Sequence, residues 1–205
     1  MIAVVDYGCG NLFSLQSSLA YIGAESCVSG DPGVLRTADR IILPGVGAFG
    51  DAAEKLRTCG LDRVITELAE SGKPILGICL GMQLLYEEST EFGIHKGLGL
   101  IPGRVVPIPA PSAYKIPHMG WNALQMTGDH PMFADIREGD HVYFVHSYHA
   151  EGDSRYVTAV TEYGCTVTAA CARDNVWGMQ FHPEKSGKTG LALLKTFAGL
   201  GEAER

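Results

Sequence analysis

The sequence predicts an α/β protein: a mostly parallel central sheet with helices on both faces and additional strands in the C-terminal half. Three observations lead there. Through the first half, short β-type runs alternate with helical patterns. From Gly99 onward, β-type runs follow one another without long helices between them. The chain has 205 residues, 46% of them hydrophobic, which suits one globular domain over 1–205 with a sizeable core.

The elements follow in order. Ile2–Val5 reads as the first strand, and Asn11 is placed to cap a helix whose Leu12, Leu15, Leu19 and Ile22 share one face before Gly23 ends it. Ser26–Ser29 and Arg40–Leu43 are the next strands, and 44–49 is too rich in Pro and Gly for regular structure. Leu61, Val64, Ile65, Leu68 and Ala69 recur with helical spacing as far as Gly72. A buried-type strand over 74–78 and a helix-compatible run over 80–86 come next. Further strands are expected near 104–108, 119–124, 141–145, 156–161, 166–172 and 176–181, with a four-proline loop over 107–117. A final helix over 188–200 presents Leu191, Leu194 and Ala198 on one side.

Composition narrows the function classes. A net charge of −7 with no basic block argues against nucleic acid or an anionic membrane surface as partner. No apolar run approaches membrane-spanning length, and the chain opens directly on a strand, so a cytoplasmic location is expected. Cysteines 9, 27, 59, 79, 165 and 171 include no Cys-x-x-Cys pair; most are expected to be free and buried.

Cys79 carries the chemistry. It falls where the 74–78 strand turns into helix, flanked by Gly77 and Gly81. A nucleophile elbow needs small residues at those positions because its flanks pack closely. Unpaired N–H groups at the start of the following helix can hold negative charge, on the sulfur or on an oxyanion, and Leu80 supplies the nearest. With 26 glycines and 6 cysteines, chance supplies about 0.1 Gly-x-Cys-x-Gly motifs.

A cysteine nucleophile needs a base, and His182 is the leading candidate among seven histidines. It follows a β-run and opens His-Pro-Glu, and Pro183 keeps the backbone extended so that Glu184 lies on the same side. Such a carboxylate orients an imidazole and stabilises its charge. His146 and His149 lack the further ligands a metal site wants, so no metal is expected; His95, His130 and His141 adjoin turns and read as surface groups. Gly8-Cys9-Gly10 begins like a dinucleotide fingerprint, but Phe13 replaces its last glycine, so no cofactor is expected. The glycine-rich turn at 44–47 can lay a second oxyanion donor beside Cys79.

Together these segments resemble the class I (triad) glutamine amidotransferases over nearly the whole chain. Gly77-Ile-Cys79-Leu-Gly81-Met-Gln83 resembles that family's nucleophile motif, and Gln180-Phe-His182-Pro-Glu184 its His-x-Glu motif. The segments 4–11, 44–49, 117–122 and 144–148 are similar to the glutaminase subunits of imidazole glycerol phosphate synthases. The resemblance implies that Cys79 attacks the side-chain amide of L-glutamine, with His182 shuttling protons and Glu184 orienting it. It implies that Gly47, Leu80, Gln83, Ser147 and Tyr148 line the glutamine pocket. It implies a heterodimer with a separate cyclase subunit, a (β/α)8 barrel that uses the ammonia in histidine biosynthesis. Asn11, Met119, Trp121, Tyr143 and Lys185 would face that partner or gate ammonia passage. The resemblance further implies that the glutaminase alone is weak until its oxyanion loop is set. Two rivals stay open: a stand-alone cysteine hydrolase of similar fold, such as a γ-glutamyl hydrolase or peptidase, and a non-catalytic assembly subunit.

Overall fold

In a computed structural model, which describes residues 1–199, strand β1 (Ile2–Val5) is buried along its whole length. After it come α1 (Leu12–Tyr21), β2 (Ser26–Ser29), α2 (Pro32–Thr37), β3 (Arg40–Leu43), α3 (Phe49–Thr58) and α4 (Leu61–Glu70). Then follow β4 (Ile75–Ile78), α5 (Leu80–Leu84), β5 (Tyr86–Ser89), β6 (His95–Lys96) and β7 (Ile101–Pro107). The second half adds β8 (His118–Ala123), β9 (Gln125–Met126), β10 (His141–His146), β11 (Tyr148–Glu151), β12 (Val157–Glu162), β13 (Thr166–Arg173), β14 (Val176–Met179) and α6 (Gly187–Gly199).

The main sheet has the order β2-β1-β3-β4-β14-β13-β12-β9. Its first five strands run parallel and the rest antiparallel. Side chains of a strand alternate between faces, so each parallel strand feeds two cores. Ala3, Val5, Ile41, Leu43 and Ile75 pack with α3 and α4; Ile2, Val4, Ile42, Leu76 and Ile78 pack with α1 and α6. Two smaller sheets, β10-β8 and β11-β7-β5-β6, stand beside this layer.

The expected architecture is observed, with local corrections. Asn11 occupies the N-cap of α1 but makes no side-chain cap bond, while Gly23 does end that helix, at φ 77°. Helices α2 and α3 lie where none was expected. Helix α2 is built from a local signal, Asp31 accepting from Gly33 N and Val34 N ahead of Pro32. The helix after Cys79 stops at Leu84, and Tyr86 opens a strand; the mainly apolar stretch 80–86 is too short to show a period that separates the two states. In α6 the buried side chains are Leu193, Leu194 and Phe197, a face turned from the expected one; Leu200 lies outside the described residues. Only Cys79 and Cys171 are buried among six free cysteines, and Cys59 is exposed. His95 and His130 are half-buried rather than surface groups, while His141 is exposed. No helix among the described residues is long and apolar enough to cross a membrane.

Packing explains the two glycines around Cys79. A Cβ on Gly77 would stand 2.6 Å from the Gly81 carbonyl oxygen, and one on Gly81 would collide with the Leu43 carbonyl. Both obstacles are backbone and cannot swing aside. Gly81→Ala is therefore expected to destabilise the fold by about 3 kcal/mol or more. Urea unfolding followed by circular dichroism checks this; a loss no larger than that of Gly60→Ala, where a Cβ meets open space at φ 69°, would contradict it.

Candidate active site

Three parallel strands deliver the site at their carboxyl ends. From β4 comes Cys79, whose N–H donates to the Met179 carbonyl at 2.7 Å, so the elbow is hydrogen-bonded to the end of β14. His182 follows β14 three residues later, and β3 leads into the 44–48 loop. A crevice at the carboxyl ends of such strands is where open α/β sheets place ligands.

Cys79 takes φ 54°, ψ −112°, outside the regions an L residue ordinarily occupies, which turns the side chain away from the sheet and into a cleft of about 310 Å3. His182 lines the same cleft, and its Nδ1 meets Glu184 Oε1 at 2.8 Å, both side chains almost fully buried. Burial works against a charge on His182. The Cys79 sulfur and then the Glu184 carboxylate more than offset it, pushing the imidazole up to about 10. At neutral pH the ring therefore holds two protons, one bonded to Glu184 and one facing the sulfur. The second carboxylate oxygen, Glu184 Oε2, is buried with no protein partner.

The cleft gathers the remaining pocket residues. Gly47, Leu80, Gln83, Ser147 and Tyr148 all line it. Gly47 sits at φ 98°, a left-handed conformation that glycine adopts without strain, and a Cβ there would meet only open space. Tyr7 donates its hydroxyl to the Pro44 carbonyl at 2.8 Å and so ties the loop to the end of β1. Gln83 donates through Nε2 to the Tyr148 carbonyl and to Gln180 Oε1, each at 3.0 Å.

Other expected residues form a surface group. Trp121 packs edge-on against Tyr143 with centroids 6.0 Å apart, and Lys185 Nζ stands 5.8 Å over the same ring. Met119 and Trp121 are 59% and 53% exposed, large apolar groups left on the outer side of β8. Asn11 is set apart from these, lining a small void with His182 and Glu184.

Sequence reading missed three contributors. Glu91 lines the cleft as its one carboxylate among the described residues, while its Oε2 accepts from Phe49 N at 2.6 Å and caps α3. Nothing local marks it, because it comes from the turn between β5 and β6. Gln180 points Nε2 at the Cys79 sulfur, 3.8 Å away. His146, weighed only as a metal ligand, is part of the cleft wall.

Comparison with known proteins adds independent findings. Residues 3–198 match the family model for glutamine amidotransferase class-I. The chain is 52% identical over 201 residues to imidazole glycerol phosphate synthase subunit HisH of Sulfurimonas denitrificans, covering 96% of this chain and 97% of that protein. The same-named subunit of Methanosarcina acetivorans is 51% identical over 198 residues, covering 96% of each chain. Among solved structures, PurLQS from Thermotoga maritima superposes with a TM-score of 0.74 at 23% identity over 96% of each chain, a likeness of fold.

The coupling of His182 to Cys79 and Glu184 has a direct readout. Ring-nitrogen NMR from pH 5 to 11 should find His182 doubly protonated through neutrality and titrating toward about 10. In Cys79→Ala and in Glu184→Gln one raising cause is gone while the burial penalty stays, so the titration moves to lower pH in both. A neutral ring at pH 7 in the unmodified protein would contradict the arrangement.

Proposed function

The chain belongs to the class-I glutamine amidotransferase family, and from that premise we propose that it is the glutaminase subunit of an imidazole glycerol phosphate synthase. The observation that carries this reading is the full-length identity of about half to subunits of that name, joined to a cysteine elbow facing a buried His–Glu pair. The match over residues 3–198 supports treating the chain as one glutaminase domain.

The geometry supports the following reaction. Cys79, its proton passed to His182, attacks the side-chain amide carbon of glutamine. The carbonyl electron pair moves onto oxygen, where the Leu80 N–H and the loop at Gly47, both on the cleft wall, serve as its donors. Collapse breaks the C–N bond as His182 gives its proton to the leaving nitrogen, releasing ammonia and leaving a glutamyl thioester. His182, now neutral, takes a proton from water, whose oxygen attacks the thioester; glutamate departs and the thiolate–imidazolium pair is restored. Glu184 keeps the ring oriented and stabilises its charge at both stages. Glu91 suits the α-ammonium group of the substrate, which needs an anion on the cleft wall.

As a synthase subunit the chain acts with a partner. We take that partner to be a separate cyclase of (β/α)8-barrel form in a heterodimer, using the ammonia in histidine biosynthesis. The exposed Met119 and Trp121, with Tyr143 and Lys185 beside them, support a docking face on the outer side of β8. Asn11, behind the triad, is suited to the ammonia side of the site. Six free cysteines suit a reducing, cytoplasmic setting.

The experiment is glutamate release from glutamine by the purified chain, alone and with the cyclase plus its ribulosyl ligand. Slow release alone, rising steeply in the full mixture, is expected. Cys79→Ala should abolish glutamine-dependent synthesis by the complex and leave ammonia-dependent synthesis intact. Fast release alone, unchanged by the partner, would point to a stand-alone hydrolase; retention of the glutamine reaction by Cys79→Ala would overturn the nucleophile.

A further inference from the structure

Two buried histidines outside the triad form a hydrogen-bonded chain that ends on the cleft wall. His118 is fully buried on β8 and His146 nearly so on β10, directly opposite each other in the antiparallel ladder. His118 Nδ1 meets His146 Nε2 at 3.0 Å, and His146 Nδ1 meets the Tyr148 carbonyl at 2.8 Å. A carbonyl only accepts, so His146 Nδ1 carries the proton. Burial pushes His146 down to about 3, so the ring is neutral and its Nε2 must accept. His118 Nδ1 is then the donor. One carbonyl thus fixes both tautomers.

The His118 ring cannot easily turn. It is stacked between Tyr163 and Phe144, with centroids 4.0 and 4.8 Å away and interplanar angles of 23° and 20°. On its far side Nε2 meets Asn122 Oδ1 at 2.9 Å; for that amide to donate to the ring it must turn, giving up the exposed bond from Asn122 Nδ2 to the Glu162 carbonyl at 3.1 Å. The Tyr148 carbonyl, held by His146, is also the acceptor for Gln83; Gln83 holds Gln180, and Gln180 Nε2 reaches the Cys79 sulfur. The chain therefore runs from β8 through the Ser147–Tyr148 wall to the nucleophile. Met119 and Trp121, on the outward side of that strand, are left to solvent.

We propose that His118 and His146 are positioning residues for the glutaminase reaction: His118 donates to His146 so that His146 holds the Tyr148 carbonyl, and with it the glutamine-binding wall, in register with Cys79. This rests on the glutaminase reading above. Removing the His118 donor leaves a buried acceptor on His146 unanswered and frees that ring to leave the carbonyl. The wall loosens, and glutamine binds more weakly.

The test uses two substitutions of similar polarity in the assembled, ligand-activated complex. His118→Asn keeps a side-chain N–H near the place of Nδ1, toward His146. His118→Gln reaches instead toward Asn122 and leaves His146 without its donor. KM for glutamine should stay within about twofold of the unmodified value in His118→Asn and rise about tenfold in His118→Gln, the size of one lost buried hydrogen bond. A purely structural role would reduce the folded fraction and so the apparent kcat, without this split in KM. Equal KM values in the two variants, both unchanged or both raised, would overturn the positioning role. No glutamate release by the unmodified complex would instead overturn the glutaminase reading on which it rests.

Discussion

At Cys79 the backbone holds φ 54° and ψ −112°, a conformation that an L residue keeps only when its surroundings leave no alternative. Here the surroundings are backbone. The Cys79 N–H is bonded to the end of β14, while the Gly81 Cα lies against the Leu43 carbonyl and Gly77 against the turn that follows it. The strained residue is thus gripped by β3 and β14, the two strands that flank β4 in the sheet. The sheet order is what makes the elbow possible.

The same order supplies the chemistry. Because β3, β4 and β14 are parallel neighbours, their carboxyl ends bring the Gly47 loop, Cys79 and His182 to one crevice although they are far apart in sequence. The antiparallel half frames this crevice. The Tyr143 carbonyl accepts from His182 N at 2.9 Å, and the Ser186 hydroxyl donates to the His182 carbonyl at 2.6 Å while accepting from Tyr143 N. The imidazole is held from its backbone by β10 and from its ring by Glu184. An anion and a cation buried together this closely would be costly singly, and each makes the other tolerable.

What the sequence disclosed, and what it hid, divides by range. Strands β1 to β4 were legible because each is a short apolar run bounded by turn residues, and the elbow because its glycines are two positions away. Helix α3 has Phe49, Ala52, Ala53 and Leu56 buried at helical spacing, yet it begins inside a stretch whose prolines and glycines suggested only a loop. Asp31–Pro32 is a local capping signal for α2, legible in the sequence without any periodicity. Glu91, Gln180 and His118 act through partners 42, 101 and 28 positions away, and no periodicity encodes such meetings. Gln83 and Tyr148 were reached through family resemblance, which carries tertiary information that spacing alone does not hold.

On the proposed reading the elbow presents Cys79, and no other cysteine, to the glutamine amide. Rapid acid quench of the assembled complex turning over glutamine, followed by peptide mass spectrometry, tests it most directly. A glutamyl adduct is expected on the peptide carrying Cys79, and its loss in Cys79→Ala. Glutamate release at full rate with the adduct on another cysteine, or with turnover surviving in Cys79→Ala, would contradict it.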